Sequence, residues 1–438
     1  MSDEHVAVVE LLLTVMAFND HTELDENDLP PRFRTVFWSN GGIERPLPVT
    51  GDAARAATGV DEPWEAVNDL MFTDRDTFTD TLSLSDESMA REWLVARVDR
   101  AYIQSNPTLT FVLEGETDLD LDYEEARETN RPIQADRVWI DTLLAEYFDE
   151  EDEEMLDLVT VHAPEEVAIT LDDLVLTRDQ EEEILKIATA IEHRAYLAEI
   201  GLREIGKLLF VGPPGTGKTS VARALAQDLD LPVVEVRLSM ITSQYLGETA
   251  KNVDKTFEVA KRLSPCILFI DEFDFVAKTR RSDEHAALKR AVNTLLKSID
   301  DISLIEHDVL LIGATNHPDQ LDSAAWRRFD EIVNFPKPDE PMRADILRVI
   351  TREMTINEFD PEAVAAETEG FTGSDLRLVL REAVLEALTE GRRELTQEDL
   401  LDAVDDFHER DNLRELDTIE GDHDALIAGG GDIAGHDH

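Results

Sequence analysis

Gly212-Pro213-Pro214-Gly215-Thr216-Gly217-Lys218-Thr219 fits the spacing G-x-x-x-x-G-K-[ST] of a phosphate-binding loop. Each residue type has a chemical reason to be there. The glycines let backbone N–H groups approach phosphate oxygens with no Cβ in the way. Lys218 supplies a positive charge for the β- and γ-phosphates, and the Thr219 hydroxyl is a hard oxygen ligand for Mg²⁺. Ser220 continues the loop into the next element. Two further clusters suit the same chemistry. The apolar run Cys266–Ile270 ends in Asp271-Glu272. Asp271 is placed to hold the Mg²⁺ hydration shell, and Glu272 to orient and polarise an attacking water. The apolar run Val309–Ala314 ends in Thr315-Asn316, whose amide can contact the γ-phosphate or that water. Together these residues read as a site for hydrolysing a phosphoanhydride.

Such a site needs apolar strands to carry the loops. Leu208–Val211, Val233–Val236, Ile267–Ile270, Val309–Ile312 and Ile332–Phe335 read as buried strands. Helical stretches lie between them, which predicts an α/β fold with a parallel sheet flanked by helices. From Pro341 onward the pattern is helical only, a small lid. Leu376, Val379, Leu380, Ala383, Val384, Ala387 and Leu388 form its apolar stripe. The first part of the chain reads as mainly helical: an opening amphipathic helix, then Trp64–Phe72, Met89–Ile103 and Val138–Phe148, with Arg34–Trp38 extended. The expected division is 1–165 (N-terminal domain), 166–338 (α/β domain), 339–408 (helical lid) and 409–438 (acidic tail).

Composition bounds the setting. The formal charge is −56, from 97 acidic and 41 basic residues, while 42% of residues are apolar. That apolar share argues for a folded chain rather than a disordered one. A carboxylate-rich surface repels itself at low salt, and at molar salt the screening length falls to about 3 Å. The composition therefore predicts a high-salt cytoplasm, as in halophilic archaea. It also makes nonspecific nucleic-acid or membrane binding unfavourable. The acidic N-terminus does not look like a secretory signal, and Ala7–Phe18, interrupted by Glu10, is too short to span a bilayer. Cys266 is the lone cysteine, so no intramolecular disulfide is possible.

On these motifs the chain resembles the AAA family, the protein-remodelling clade of AAA+ P-loop NTPases, over residues 170–407. The resemblance implies ATP and Mg²⁺ as cofactors. It also implies a homo-oligomeric, hexameric ring that couples hydrolysis to unfolding, translocation or disassembly of proteins. Ala314-Thr315-Asn316 matches sensor 1. Arg327-Arg328-Phe329 resembles the paired arginine fingers of the katanin and ESCRT-disassembling branch. Gly370-Phe371-Thr372-Gly373-Ser374-Asp375-Leu376 resembles the lid segment in which Gly373 and Ser374 meet nucleotide. Ser243-Gln244-Tyr245-Leu246-Gly247 resembles pore loop 1, where Tyr245, Leu246 and Gly247 would grip polypeptide; Lys278-Thr279-Arg280-Arg281 falls where relatives carry pore loop 2. Residues 1–165 would choose clients or adaptors. Ile299-Asp300-Asp301-Ile302 departs from the Leu-Asp-Gly-aromatic element that relatives use between subunits. His408-Glu409-Arg410-Asp411-Asn412 lacks the second histidine of a zinc-protease pair. The rival readings are a nucleic-acid motor or loader, and a switch that assembles on ATP.

Overall fold

The computed structural model describes residues 3–115, 119–149, 152–203, 205–237, 249–274, 286–357 and 359–410. By packing, the chain falls into two compact units. One is 1–168 with 226–240 and 255–267; the other is 169–225, 241–254 and 268–438.

In the first unit, helix α1 (Asp3–Asp20) is the spine. Val8, Val9, Leu11, Leu12, Leu13, Val15 and Phe18 are all buried along it, so it is apolar nearly all round. Arg34–Trp38, expected to be extended, lies mostly in helix α2 (Pro31–Phe37). The aromatic and β-branched residues suggest a strand, but Pro31 is placed at the helix start, where its missing N–H costs nothing. Phe33 and Phe37, four apart, then both bury. The helix expected over Met89–Ile103 is two, Glu87–Val95 and Arg100–Gln104, because the Asp99 carboxylate accepts from Tyr102 N–H and starts a new one. Strand β1 (Val159–His162) was not foreseen.

The sheet has six strands in the order β6-β2-β5-β4-β3-β1. The members after β1 are β2 (Lys207–Val211), β3 (Val233–Val236), β4 (Cys266–Ile270), β5 (Val309–Thr315) and β6 (Glu331–Asn334). Strand β2 pairs in parallel with β5 and with β6. Strand β1 runs antiparallel to β3, with Val159 opposite Val236, so the expected parallel sheet gains an antiparallel edge. Strands β4 and β5 are buried along their whole length, as continuous apolar runs require.

In the second unit, helices α3 (Arg178–Glu192), α4 (Lys218–Asp228) and α5 (Ala286–Asp300) accompany the strands. The lid is built on α6 (Glu340–Thr351) and α7 (Gly373–Thr389). Leu376, Val379, Leu380, Ala383 and Ala387 of α7 pack with Leu347, Val364 and Leu400 in its core. Leu388, read as part of that stripe, is instead 52% exposed.

Candidate active site

Strand β2 runs into the 212–217 loop, which delivers the chain into α4. Gly212 is required by space: a Cβ there would lie 2.0 Å from the Phe335 carbonyl oxygen. Gly217 is required by conformation, at φ +98°. Lys218 is buried and donates through Nζ to the carbonyls of Gly212 (2.8 Å) and Pro213 (2.7 Å). Burial pushes its pKa below the ordinary lysine range, and nearby Asp271 pulls in the opposite direction. The ammonium thus rests on its own loop, one side-chain swing from a phosphate bound in the cradle.

The two acids stand at the end of β4. Thr219 Oγ1 donates to Asp271 Oδ2 at 2.9 Å, and Glu272 N–H donates to Asp271 Oδ1 at 2.8 Å. Glu272 has φ +46°, a left-handed backbone that costs a non-glycine residue energy. The carboxylate of this residue is exposed, next in the chain to the Thr219–Asp271 pair. At the end of β5, Thr315 Oγ1 donates to buried Asp274 (2.8 Å) and accepts from His317 N–H (3.0 Å). This pins the turn that presents Asn316, whose buried Oδ1 has no hydrogen-bond partner among the described residues. A buried acceptor without a partner is costly, and a ligand donor or a water would relieve it.

An open cleft joins these groups, lined by Lys218, Thr219, Ser220, Asp271, Glu272, Asn316 and Ser374 of the lid. Ser374 N–H donates to Gly215 O (3.2 Å), which seats the start of α7 on the loop. Thr372 caps that start by accepting from Asp375 N–H. A second cleft borders Gly215, Thr216, Gly217 and Gly373 and continues between Leu174, Val175, Met342, Ile346 and Ile350. None of these five apolar residues was foreseen. The signal lay in α6, where Met342, Ile346, Val349 and Ile350 make a second stripe beside the one that buries Ala344 and Leu347.

A polar cradle beside an apolar slot fits a triphosphate joined to a flat base. The oxygen pair Thr219–Asp271 fits Mg²⁺, a hard cation. Pro213 and Pro214 shape the loop without adding charge. Neither Arg327 nor Arg328 lines the polar cavity. Tyr245, Leu246 and Gly247, and the basic residues Lys278, Arg280 and Arg281, lie outside the described residues.

Comparison with known proteins agrees with this geometry. Residues 208–337 match the family described as "ATPase family associated with various cellular activities (AAA)", and residues 358–402 match the AAA+ lid domain. An uncharacterized AAA family ATPase of Sinorhizobium fredii is 38% identical over 235 residues, covering 53% of this chain and 70% of that protein. The proteasome-activating nucleotidase of Pyrococcus horikoshii is 37% identical over 260 residues, covering 58% and 65% respectively. The ATP-dependent zinc metalloprotease FtsH of Aquifex aeolicus is 35% identical over 252 residues, 56% of this chain but only 40% of that one.

Proposed function

Because the chain belongs to the AAA family of ATPases, we propose that it hydrolyses ATP to unfold, translocate or disassemble proteins, working as a hexameric ring of its own copies. The strained Glu272 beside the Thr219–Asp271 pair carries this reading. Thr219 and Asp271 would hold Mg²⁺, which when bound neutralises charge developing on the phosphates. Lys218 exchanges its two loop carbonyls for phosphate oxygens. Glu272 orients the water and accepts its proton. Asn316 fixes the water or the γ-phosphate. Gly373 and Ser374 close the lid side of the nucleotide, and arginine from the 327–328 pair completes the site of a neighbouring copy. Tyr245 and Leu246 grip the client, with Gly247 allowing the tight turn, while residues 1–165 select clients or adaptors.

Relatives named for activating a proteasome or for ATP-dependent proteolysis favour a protein client over nucleic acid. The charge of −56 favours a high-salt cytoplasm. Among the described residues no helix is long and apolar enough to cross a membrane.

The test is ATP turnover in molar KCl, with and without an unfolded acidic polypeptide. The expected result is stimulation by the polypeptide, and capture of it by the Glu272→Gln variant in ATP. Turnover indifferent to polypeptide but raised by DNA or RNA would overturn the reading.

A further inference from the structure

Arg327, Arg328 and Phe329 are consecutive, yet the fold treats them differently. Phe329 is buried, its ring edge-on to Phe273 at 5.3 Å between centroids. Arg328 is directed back into its own chain. Its Nε donates to Leu296 O (3.0 Å) and lies 2.8 Å from the Asp300 carboxylate, and its Nη1 donates to Ala324 O (2.6 Å). Leu296 and Asp300 belong to the last turns of α5, so Arg328 joins the arginine-bearing turn to that helix end. The turn is held at its far side too: Asp330 N–H donates to Lys207 O (2.8 Å), and Lys207 N–H donates to Asp330 Oδ2 (2.8 Å). The Arg327 N–H donates to Ala325 O, but its side chain is exposed and has no hydrogen bond or ion pair among the described residues. A guanidinium with no partner among the described residues thus projects from a turn anchored through Arg328, Phe329 and Asp330.

We infer that the two arginines do different jobs: Arg327 is the cation handed to a neighbouring copy's phosphates, and Arg328 is a positioning residue that, through Asp300 and Leu296 O, sets where Arg327 points. This rests on the ring reading above and refines it, since the paired-finger expectation gave both arginines the same role. An arginine serving a neighbour must leave its own chain. Arg327 can do so without losing a side-chain hydrogen bond or ion pair to the described residues, whereas Arg328 would forfeit two carbonyls and a carboxylate. The pairing also assigns work to Asp300, in the segment that departs from the family's communication element. A shift of the α5 end would move the arginine turn with it.

The test compares Arg327→Ala, Arg328→Ala, Asp300→Ala and the double variant Asp300→Ala/Arg328→Ala by ATP affinity, kcat, KM and oligomeric state. Arg327→Ala is expected to lose about 10³-fold or more in kcat with ATP affinity kept. Mixing it with Lys218→Ala subunits, which cannot hold nucleotide but carry both arginines, should restore part of the turnover. Arg328→Ala and Asp300→Ala should each lose about 10-fold in kcat with KM little changed, and the double variant should be no worse than either single one. Arg328→Lys, which keeps one donor toward Asp300, should recover part of that loss. Arg328→Ala losing as much as Arg327→Ala while Asp300→Ala stays at the wild-type rate would overturn the division of roles. So would additive losses in the double variant. Wild-type protein that neither assembles nor turns over ATP would sink the ring reading itself, a result distinct from either of these.

Discussion

The buried carboxylates Glu10 and Asp28 of the N-terminal unit are occupied by neighbouring donors, whereas the 212–217 loop and the strand ends beside it leave polar groups that a ligand could engage. Glu10, 1% exposed, accepts from Arg32, from Tyr102 Oη (2.6 Å) and from Asn106 Nδ2 (2.8 Å). Asp28, fully buried, accepts from Tyr123 Oη (2.7 Å) and from Asp25 N–H (2.7 Å). Burial and the Asp28 carboxylate push the Tyr123 hydroxyl up to about 12, so it stays a donor at any working pH. At the loop, by contrast, Lys218 rests on carbonyls, Asn316 Oδ1 has no partner among the described residues and Glu272 sits in a strained backbone. The first arrangement specifies a fold, and the second stores unmet hydrogen-bonding capacity for a ligand.

That contrast can be broken by substitution. The largest effect is expected at Glu272. Glu272→Gln should lower kcat by about 10²–10⁴-fold while ATP binding persists, since only the proton-accepting function is lost. Rapid-quench turnover beside equilibrium nucleotide binding checks it, and equal loss of binding would mean the carboxylate holds nucleotide instead. Next, Asn316→Ala should cost about 10²-fold in kcat with little change in melting temperature, because it removes an atom already without a partner. A large fall in stability would show that the amide belongs to the fold.

The N-terminal unit should answer in the opposite sense. Asn106→Ala removes a donor to Glu10, a donor to Thr14 and the cap on Leu109 N–H. It should destabilise by about 2–3 kcal/mol in chemical denaturation and leave kcat per folded molecule unchanged. A kinetic effect without a stability effect would erase the distinction.

The smallest effect is set by Asp399 in the lid. Hydrogen bonds from Arg392 first, then from Thr396, hold its carboxyl well below the usual aspartate range. A depressed carboxyl stabilises the fold above its unfolded pKa, and that contribution is lost as pH falls through the folded value. Asp399→Asn should therefore melt lower than wild type at pH 7, by about 1 kcal/mol for a partly exposed cap. The difference should shrink below pH 4, and a gap constant from pH 7 to pH 2 would remove the ionic account.

The candidate site's loop and strand ends were legible in the sequence because local spacing encodes them: a loop between strand and helix, and acids or an amide at the ends of apolar runs. The apolar slot was not, since Leu174 and Val175 are far in the chain from the Met342–Ile350 face of α6 and meet it only in the folded structure. Strand β1 escaped because Val159–His162 is short and gains its identity from pairing with β3. Helix α2 escaped because a starting proline and two core-facing phenylalanines outweighed strand-like side chains. Thus the sequence by itself determined the phosphate loop, its acids and the buried strands that carry them, since each depends on neighbours a few residues away. Only the tertiary structure decided which arginine is free and which is tied to Asp300. Two adjacent guanidiniums have the same chemistry until packing gives one of them acceptors and leaves the other in solvent.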